Sequence, residues 1–304
     1  MRALVTGGAG FVGSTLVDRL LAEGHAVDVI DDLSSGVLGN LRDARAERAA
    51  ELHIHHVDLR SPEAADLIAR REPEVVFHLA ASRADGAAAG ALTDVVGSLH
   101  VLEGAQAGGA RKVVVAAGSA IYGDPEPETL PVRESATQEP IIPAGAADKA
   151  LLEYLRLYRD RHGLEFTSLA LATVYGPRST RGVVAAFARG LLQGAPIELA
   201  GDGGQTRDFL FVDDAVDAFV RAAERGSGLL VNVSTGVETS VRALLDTMAG
   251  AAGVAHVEPA SCERDVTDVD RIALDPGRAK LHLGWSPWTS LEEGIALTLQ
   301  FWSR

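Results

Sequence analysis

Gly7, Gly10 and Gly13 recur at a spacing of three in Val5-Thr6-Gly7-Gly8-Ala9-Gly10-Phe11-Val12-Gly13. A short apolar run precedes them. An amphipathic stretch from Ser14 to Glu23 follows, with Leu16, Leu20 and Leu21 on one side. Strand, glycine turn and helix in that order make a cradle for a pyrophosphate. Gly7 and Gly10 permit the tight turn and the close backbone approach, and Gly13 lets helix and strand pack together. The helix start, with Phe11 and Val12, offers free N–H groups and the positive end of a dipole. One strand later, Val27-Asp28-Val29-Ile30-Asp31 ends in a carboxylate, the group that bonds a ribose hydroxyl pair. The chemistry implied is dinucleotide binding.

Other candidates fall at the ends of later strands. Asp32-Leu33-Ser34-Ser35-Gly36 reads as a loop that brings small polar groups near the adenosine ribose. Leu52 to Val57 is a third strand, with Asp58 and Leu59 at its carboxyl edge, within reach of an adenine. Its His53, His55 and His56 invite a metal reading. Strand alternation, however, separates His56 from the other two, and no Cys or carboxylate stands at ligand spacing, so no metal is expected. Val75 to Ala81 is a buried fourth strand running into Leu79, Ala80 and Ala81, small enough for a ligand to lie across the sheet edge.

Helices are expected at 62–71, 92–104 and 148–162, with strands at 112–116 and 165–171. This alternation implies an α/β fold, a doubly wound parallel Rossmann sheet with right-handed crossovers. Between its fourth strand and the helix at 92 lies a Gly/Ala-rich loop, 83–90. Beyond Tyr175-Gly176-Pro177 the alternation loosens, with helices at 183–192, 213–225, 241–251 and 291–301 and a strand at 229–233. We therefore expect a dinucleotide-binding domain over 1–172. A smaller, mainly substrate-binding lobe spans 173–304, with some of its segments returning to the first domain.

The chain has 304 residues, 47% hydrophobic and 23% charged, an ordinary globular balance. A net charge of -14 speaks against nucleic-acid or anionic-membrane partners, which need a basic face. Cys262 is the single cysteine, so no internal disulfide forms. With the first strand starting next to Met1 and no long apolar run, a soluble cytoplasmic protein is expected.

Several blocks together resemble the extended short-chain dehydrogenase/reductase family, and within it the nucleotide-sugar epimerases and dehydratases of the UDP-glucose 4-epimerase type. They are the glycine segment, Asp31 to Gly36, His78-Leu79-Ala80-Ala81, Ala120-Ile121-Tyr122-Gly123 and Val174-Tyr175-Gly176-Pro177-Arg178. Gly201-Asp202-Gly203-Gly204-Gln205-Thr206-Arg207-Asp208-Phe209, Val212-Asp213-Asp214 and Leu283-Gly284-Trp285-Ser286-Pro287 complete the set. The resemblance implies tightly held NAD, with Asp31 repelling a 2′-phosphate, and a UDP- or dTDP-sugar. It implies diphosphate contact by Arg207, further substrate contacts by Tyr122, Thr173 and Arg178, and a weaker second anion contact by Arg271. Near Arg271, Cys262-Glu263-Arg264-Asp265-Val266 does not reproduce the family's arginine spacing. A homodimer through the helices at 92–104 and 148–162 is also implied.

The family's chemistry uses a Tyr four residues before a Lys, assisted by a Ser or Thr; the Lys lowers the Tyr pKa so that it can shuttle a proton. Lys149 is present and would hold the nicotinamide ribose, but Gly145 stands four residues before it, with Ala144 one position away. Ala116-Ala117-Gly118 lack the hydroxyl, and Ser119 is displaced from their register. Asp94 and Thr173 replace asparagines. Three readings follow. One is an enzyme with a relocated acid/base, Tyr122 foremost, with Ser119, Asp148, Tyr175 and Asp85 as alternatives. The second is a silent binding protein, and the third is non-redox chemistry in the same pocket.

Overall fold

The computed structural model describes residues 1–81, 90, 92–255, 257–263 and 269–303. Asp85 with most of its loop, and Arg264-Asp265-Val266, lie outside them. The chain runs β1 (Arg2–Thr6), α1 (Phe11–Ala22), β2 (Ala26–Asp31), α2 (Arg42–Glu47), β3 (Leu52–His56), α3 (Glu63–Arg71) and β4 (Val75–His78). A wide helical turn at Leu92–Val96 then leads into α4 (Gly97–Ala107), β5 (Lys112–Gly118), α5 (Pro143–His162), β6 (Glu165–Leu171) and β7 (Thr173–Tyr175). The remainder is α6 (Gly182–Gln193), β8 (Glu198–Ala200), β9 (Thr206–Arg207), β10 (Phe209–Phe211), α7 (Val212–Ala222), β11 (Leu229–Val233), β12 (Thr239–Ser240), α8 (Val241–Ala252), β13 (Ala260–Cys262), α9 (Gly277–His282) and α10 (Leu291–Trp302).

The main sheet has the order β11-β6-β5-β4-β1-β2-β3, and its pairings are parallel. From β1 the chain moves outward through β2 and β3, then returns to place β4 on β1's other edge. That reversal opens a crevice at the carboxyl ends of β1 and β4, where open α/β sheets bind ligands. Alternation along β1 feeds both faces: Ala3 and Val5 join the core under α1, α7 and α8, while Leu4 joins the core under α3, α4 and α5. β11 lies beside β6, so residues far beyond 172 complete this sheet. The expected helix at 148–162 begins already at Pro143, whose missing N–H costs nothing in a first helical turn. Among the described residues no helix is long and apolar enough to cross a membrane.

The segments outside the main sheet are tied by short pairs, β7 with β10, β9 with β12 and β8 with β13. Asp208 links them. Its buried carboxylate accepts hydrogen bonds from the Thr235 N–H at 2.9 Å, the Thr235 hydroxyl at 2.6 Å and the Gly236 N–H at 2.8 Å. Asp208→Ala strands these buried donors. We expect a loss of about 3 kcal/mol, read as a lower midpoint in thermal or urea unfolding.

Candidate active site

A cavity of about 420 Å³ occupies the crevice, lined by Gly7, Gly10, Phe11, Val12, Gly13, Asp31, Asp32, Ser35, Asp58, Leu59, Leu79, Ala80 and Ala81 among others. Its floor depends on missing side chains. Gly7 has φ +69°, and a Cβ there would stand 2.8 Å from the Ala80 nitrogen; a Cβ on Gly13 would lie 2.1 Å from the Gly7 oxygen. Asp31 braces the rim, accepting from the Ala9 N–H at 2.9 Å and the Leu33 N–H at 2.8 Å. A carboxylate has about four lone-pair sites, so acceptor capacity remains for a ribose. Asp32 caps its own loop by accepting from the Ser34 N–H. Gly36 packs behind Asp31. Arg60 holds Asp58 ionised, below the usual carboxylate range.

A second cavity, about 530 Å³, shares Gly10, Phe11, Val12, Ala80 and Ala81 with the first and continues past them. His78 lies beneath it. Its Nδ1 meets the Thr6 hydroxyl at 2.7 Å and its Nε2 the Ser98 hydroxyl at 2.8 Å. Ser98 donates to the Asp94 carbonyl, and Thr6 accepts from the Ala80 N–H, so the chain of bonds assigns the proton to Nε2. Burial drives the His78 pKa down to about 4, which keeps the ring neutral.

Helix α5 decides which groups reach this cavity. Ala144, Ala147 and Asp148 line it, together with Asp94, Ala116, Ala117 and Gly118. Asp148 Oδ2 accepts from the Gly118 N–H at 2.8 Å, and among the described residues its other oxygen has no partner. Burial, opposed by that bond and helped by Asp94, pushes the Asp148 pKa up to about 7.

Lys149 is corrected by the same geometry. It is exposed, its Nζ donates to the Gln138 carbonyl at 2.7 Å, and it lines neither cavity. Gly145 points away from the cavity as well, because a Cβ there would sit 2.3 Å from the Ala120 oxygen. The helix therefore presents Ala144 and Asp148, four apart, where the resemblance implies a Tyr–Lys pair. Tyr122 is also corrected: its buried hydroxyl donates to Asn232 at 2.6 Å, and burial raises its pKa well above the usual tyrosine value. Ser119 sits in the short turn after β5 and lines neither cavity. Tyr175 is a core residue whose hydroxyl donates to the Leu291 carbonyl.

The substrate-contact candidates divide. Arg178 lines the second cavity, but its guanidinium already pairs with Asp18 at 2.7 Å. Thr173 lies in β7 and does not line it, whereas its neighbour Val174 does. Arg207 donates to the Thr206 carbonyl at 2.7 Å and lines neither of the two large cavities. Arg271 borders a third, separate cavity and is held bidentately by Glu238 at 2.9 and 2.6 Å. Sequence reasoning missed Arg181. It precedes α6, borders both large cavities and makes no side-chain hydrogen bond or ion pair among the described residues. The sequence signal was present in Arg178-Ser179-Thr180-Arg181-Gly182, a second basic residue immediately after the Gly176-Pro177 turn.

Two substitutions test the orientation of α5. Gly145→Ala should cost about 1–3 kcal/mol in thermal unfolding, since the methyl meets a backbone carbonyl. Gly145→Tyr should accordingly add no activity beyond that of the parent. Lys149→Ala should leave dinucleotide affinity, measured by calorimetry, within about twofold, as befits an exposed side chain remote from the pocket.

Comparison with known proteins agrees with this architecture. Residues 3–234 match the model of the NAD dependent epimerase/dehydratase family. The chain is 44% identical to a UDP-glucose 4-epimerase of Mycolicibacterium smegmatis, over 99% of this chain and 98% of that protein. It superposes on the Thermotoga maritima UDP-glucose 4-epimerase with UDP-glucose at a TM-score of 0.93 and 36% identity, covering 99% and 98% of the two chains. The Thermus thermophilus UDP-glucose 4-epimerase complex with NAD gives 0.90 and 33%, covering 99% of each. With a family model matched over residues 3–234 and relatives matched over nearly their whole length, the chain belongs to the NAD dependent epimerase/dehydratase family.

Proposed function

We propose that this protein binds NAD and a nucleotide-diphosphate sugar and acts as an epimerase- or dehydratase-like enzyme with Asp148 as its acid/base. The observation that carries this reading is the Asp148 carboxylate, held at the second cavity by the Gly118 amide, with one oxygen unpartnered among the described residues. The residues fit the cofactor. Gly7, Gly10 and Gly13 leave the space a pyrophosphate needs, the first turn of α1 supplies N–H donors, and Asp31 takes the adenosine ribose. Bound NAD supplies reversible hydride acceptance at a sugar carbon. Asp148 accepts the proton of the hydroxyl on that carbon and returns it on the reverse step. Its pKa of about 7 suits both directions at neutral pH. His78, neutral and fixed at both nitrogens, orients the cavity floor and moves no proton. Arg181, without a side-chain partner among the described residues, gives the same cavity a cationic edge suited to a diphosphate.

The names of the relatives favour a UDP-sugar, with a dTDP-sugar next. A cytoplasmic homodimer belongs to the same reading, with exposed Tyr154 and Leu157 of α5 as its apolar contribution. A second reading, a cofactor-holding protein without turnover, is favoured by one observation. Ala116, Ala117, Gly118 and Ala144 leave the cavity wall without the hydroxyls the family uses.

Incubation with UDP-, dTDP- and GDP-sugars, followed by NMR of the products, separates the two. We expect turnover of at least one, reduced about a hundredfold or more in Asp148→Asn with NAD still bound. Because the base must be ionised, kcat/KM should fall as pH drops through the Asp148 pKa of the NAD-bound enzyme. Tight NAD binding with no product from any sugar leaves the binding-protein reading. Undiminished turnover in Asp148→Asn moves the acid/base elsewhere.

A further inference from the structure

We propose that Asp94 and Asp148 make the second cavity selective for the oxidised, cationic cofactor over the reduced one, and that binding the oxidised form expels a proton from Asp148. The inference rests on the NAD-binding reading above but not on turnover.

The two cavities meet at Gly10, Phe11 and Val12 of α1 and at Ala80 and Ala81 after β4. A dinucleotide with its pyrophosphate at that junction and its adenosine beside Asp31 would extend its nicotinamide end into the second cavity. The ring carries a positive charge when oxidised and none when reduced. Two carboxylates line the cavity, from the turn before α4 and from α5. The resemblance implies a lysine on α5 beside this ring. In this chain the lysine faces outward and the sign of the charge inside is reversed.

Among the described residues, the other charged and titratable groups whose contacts reach Asp148 or its cavity leave that reversal in place. His78, from β4, is neutral. Arg178, from the segment before α6, is matched by Asp18. Arg181 borders the same cavity as a cation unmatched among the described residues, and it also borders the first cavity, where a bound pyrophosphate would draw it. From β5 only the Gly118 amide reaches Asp148 among the described residues. Burial and the Asp94 charge both hold Asp148's proton on. A cation entering the cavity opposes both effects, because it offsets the carboxylate's lost hydration and the repulsion from Asp94.

The test uses full-length protein stripped of cofactor, with Kd for NAD+ and for NADH measured by calorimetry from about pH 5.5 to about pH 8.5. NAD+ should bind about tenfold more tightly at the alkaline end, the equivalent of a one-unit fall in the Asp148 pKa, while NADH affinity stays flat. Near pH 7, NAD+ binding should release protons in paired buffers of different ionisation heat, and NADH binding should release none. Asp148→Asn, which keeps an acceptor for the Gly118 amide, should flatten the NAD+ profile. Asp94→Asn should move its midpoint to lower pH. Identical pH profiles for the two redox forms, or an NAD+ dependence that survives in Asp148→Asn, overturn the proposal while leaving NAD binding intact. Failure to bind either form overturns the NAD reading and this inference with it.

Discussion

Everything at this site depends on how closely the backbone after β1 passes the backbone after β4. A Cβ at Gly7 would stand 2.8 Å from the Ala80 nitrogen, so no side chain separates the two segments. Thr6 fastens the contact from below, accepting from the Ala80 N–H and meeting His78 through the same hydroxyl. The approach comes at the point where the sheet changes direction, between β1 and β4. It leaves both cavities open along the carboxyl ends of the strands and joins them at the start of α1. A bulkier residue at position 7 would therefore lift β4 and alter the floor of both cavities together.

The second constraint is rotational. Successive residues of a helix are turned by about 100°, so a shift of one position changes which side chains face a pocket. In α5 the decisive contact is Gly145 against the Ala120 carbonyl, where nothing larger than hydrogen fits without displacement. With Gly145 fixed toward the turn after β5, Ala144 and Asp148 face the cavity and Lys149 faces solvent. The lysine's sequence number suggested a role that its azimuth denies. The helix presents an anion at the cavity while keeping a lysine next door.

This explains what the sequence could and could not convey. Gly7, Gly10, Gly13 and Asp31 were legible because their roles are local. A positive φ, a missing Cβ and a strand-end carboxylate are each set by a few neighbouring residues. The alternation of strands and helices was legible for the same reason. The register of α5 against β5 was not, because it is decided by a contact between residues 120 and 145, and the sequence shows Gly145 only as an absent side chain. Tyr122 misled in the same way. Its partner Asn232 lies on β11, the strand that returns from far along the chain to the sheet's edge, and that bond turns the phenol into the core. Arg178 and Arg271 read as free cations in sequence; only the fold brings Asp18 and Glu238 against them.

The reversed charge in the second cavity also constrains what chemistry is physically coherent there. A carboxylate in a poorly hydrated pocket is costly alone, and so is a cationic ring, but each offsets much of the other's penalty. Removing only one of the two charges would leave the other uncompensated, so loss of the ring's charge and protonation of Asp148 favour each other. A lysine at the same place would do the opposite, repelling the oxidised ring and favouring loss of its charge irrespective of any carboxylate. Under the proposed function, proton acceptance by Asp148 would be coupled to the state of the cofactor by electrostatics, without a tyrosine between them. The neutral, doubly bonded His78 leaves this coupling intact, because it adds no charge of its own beside Asp148.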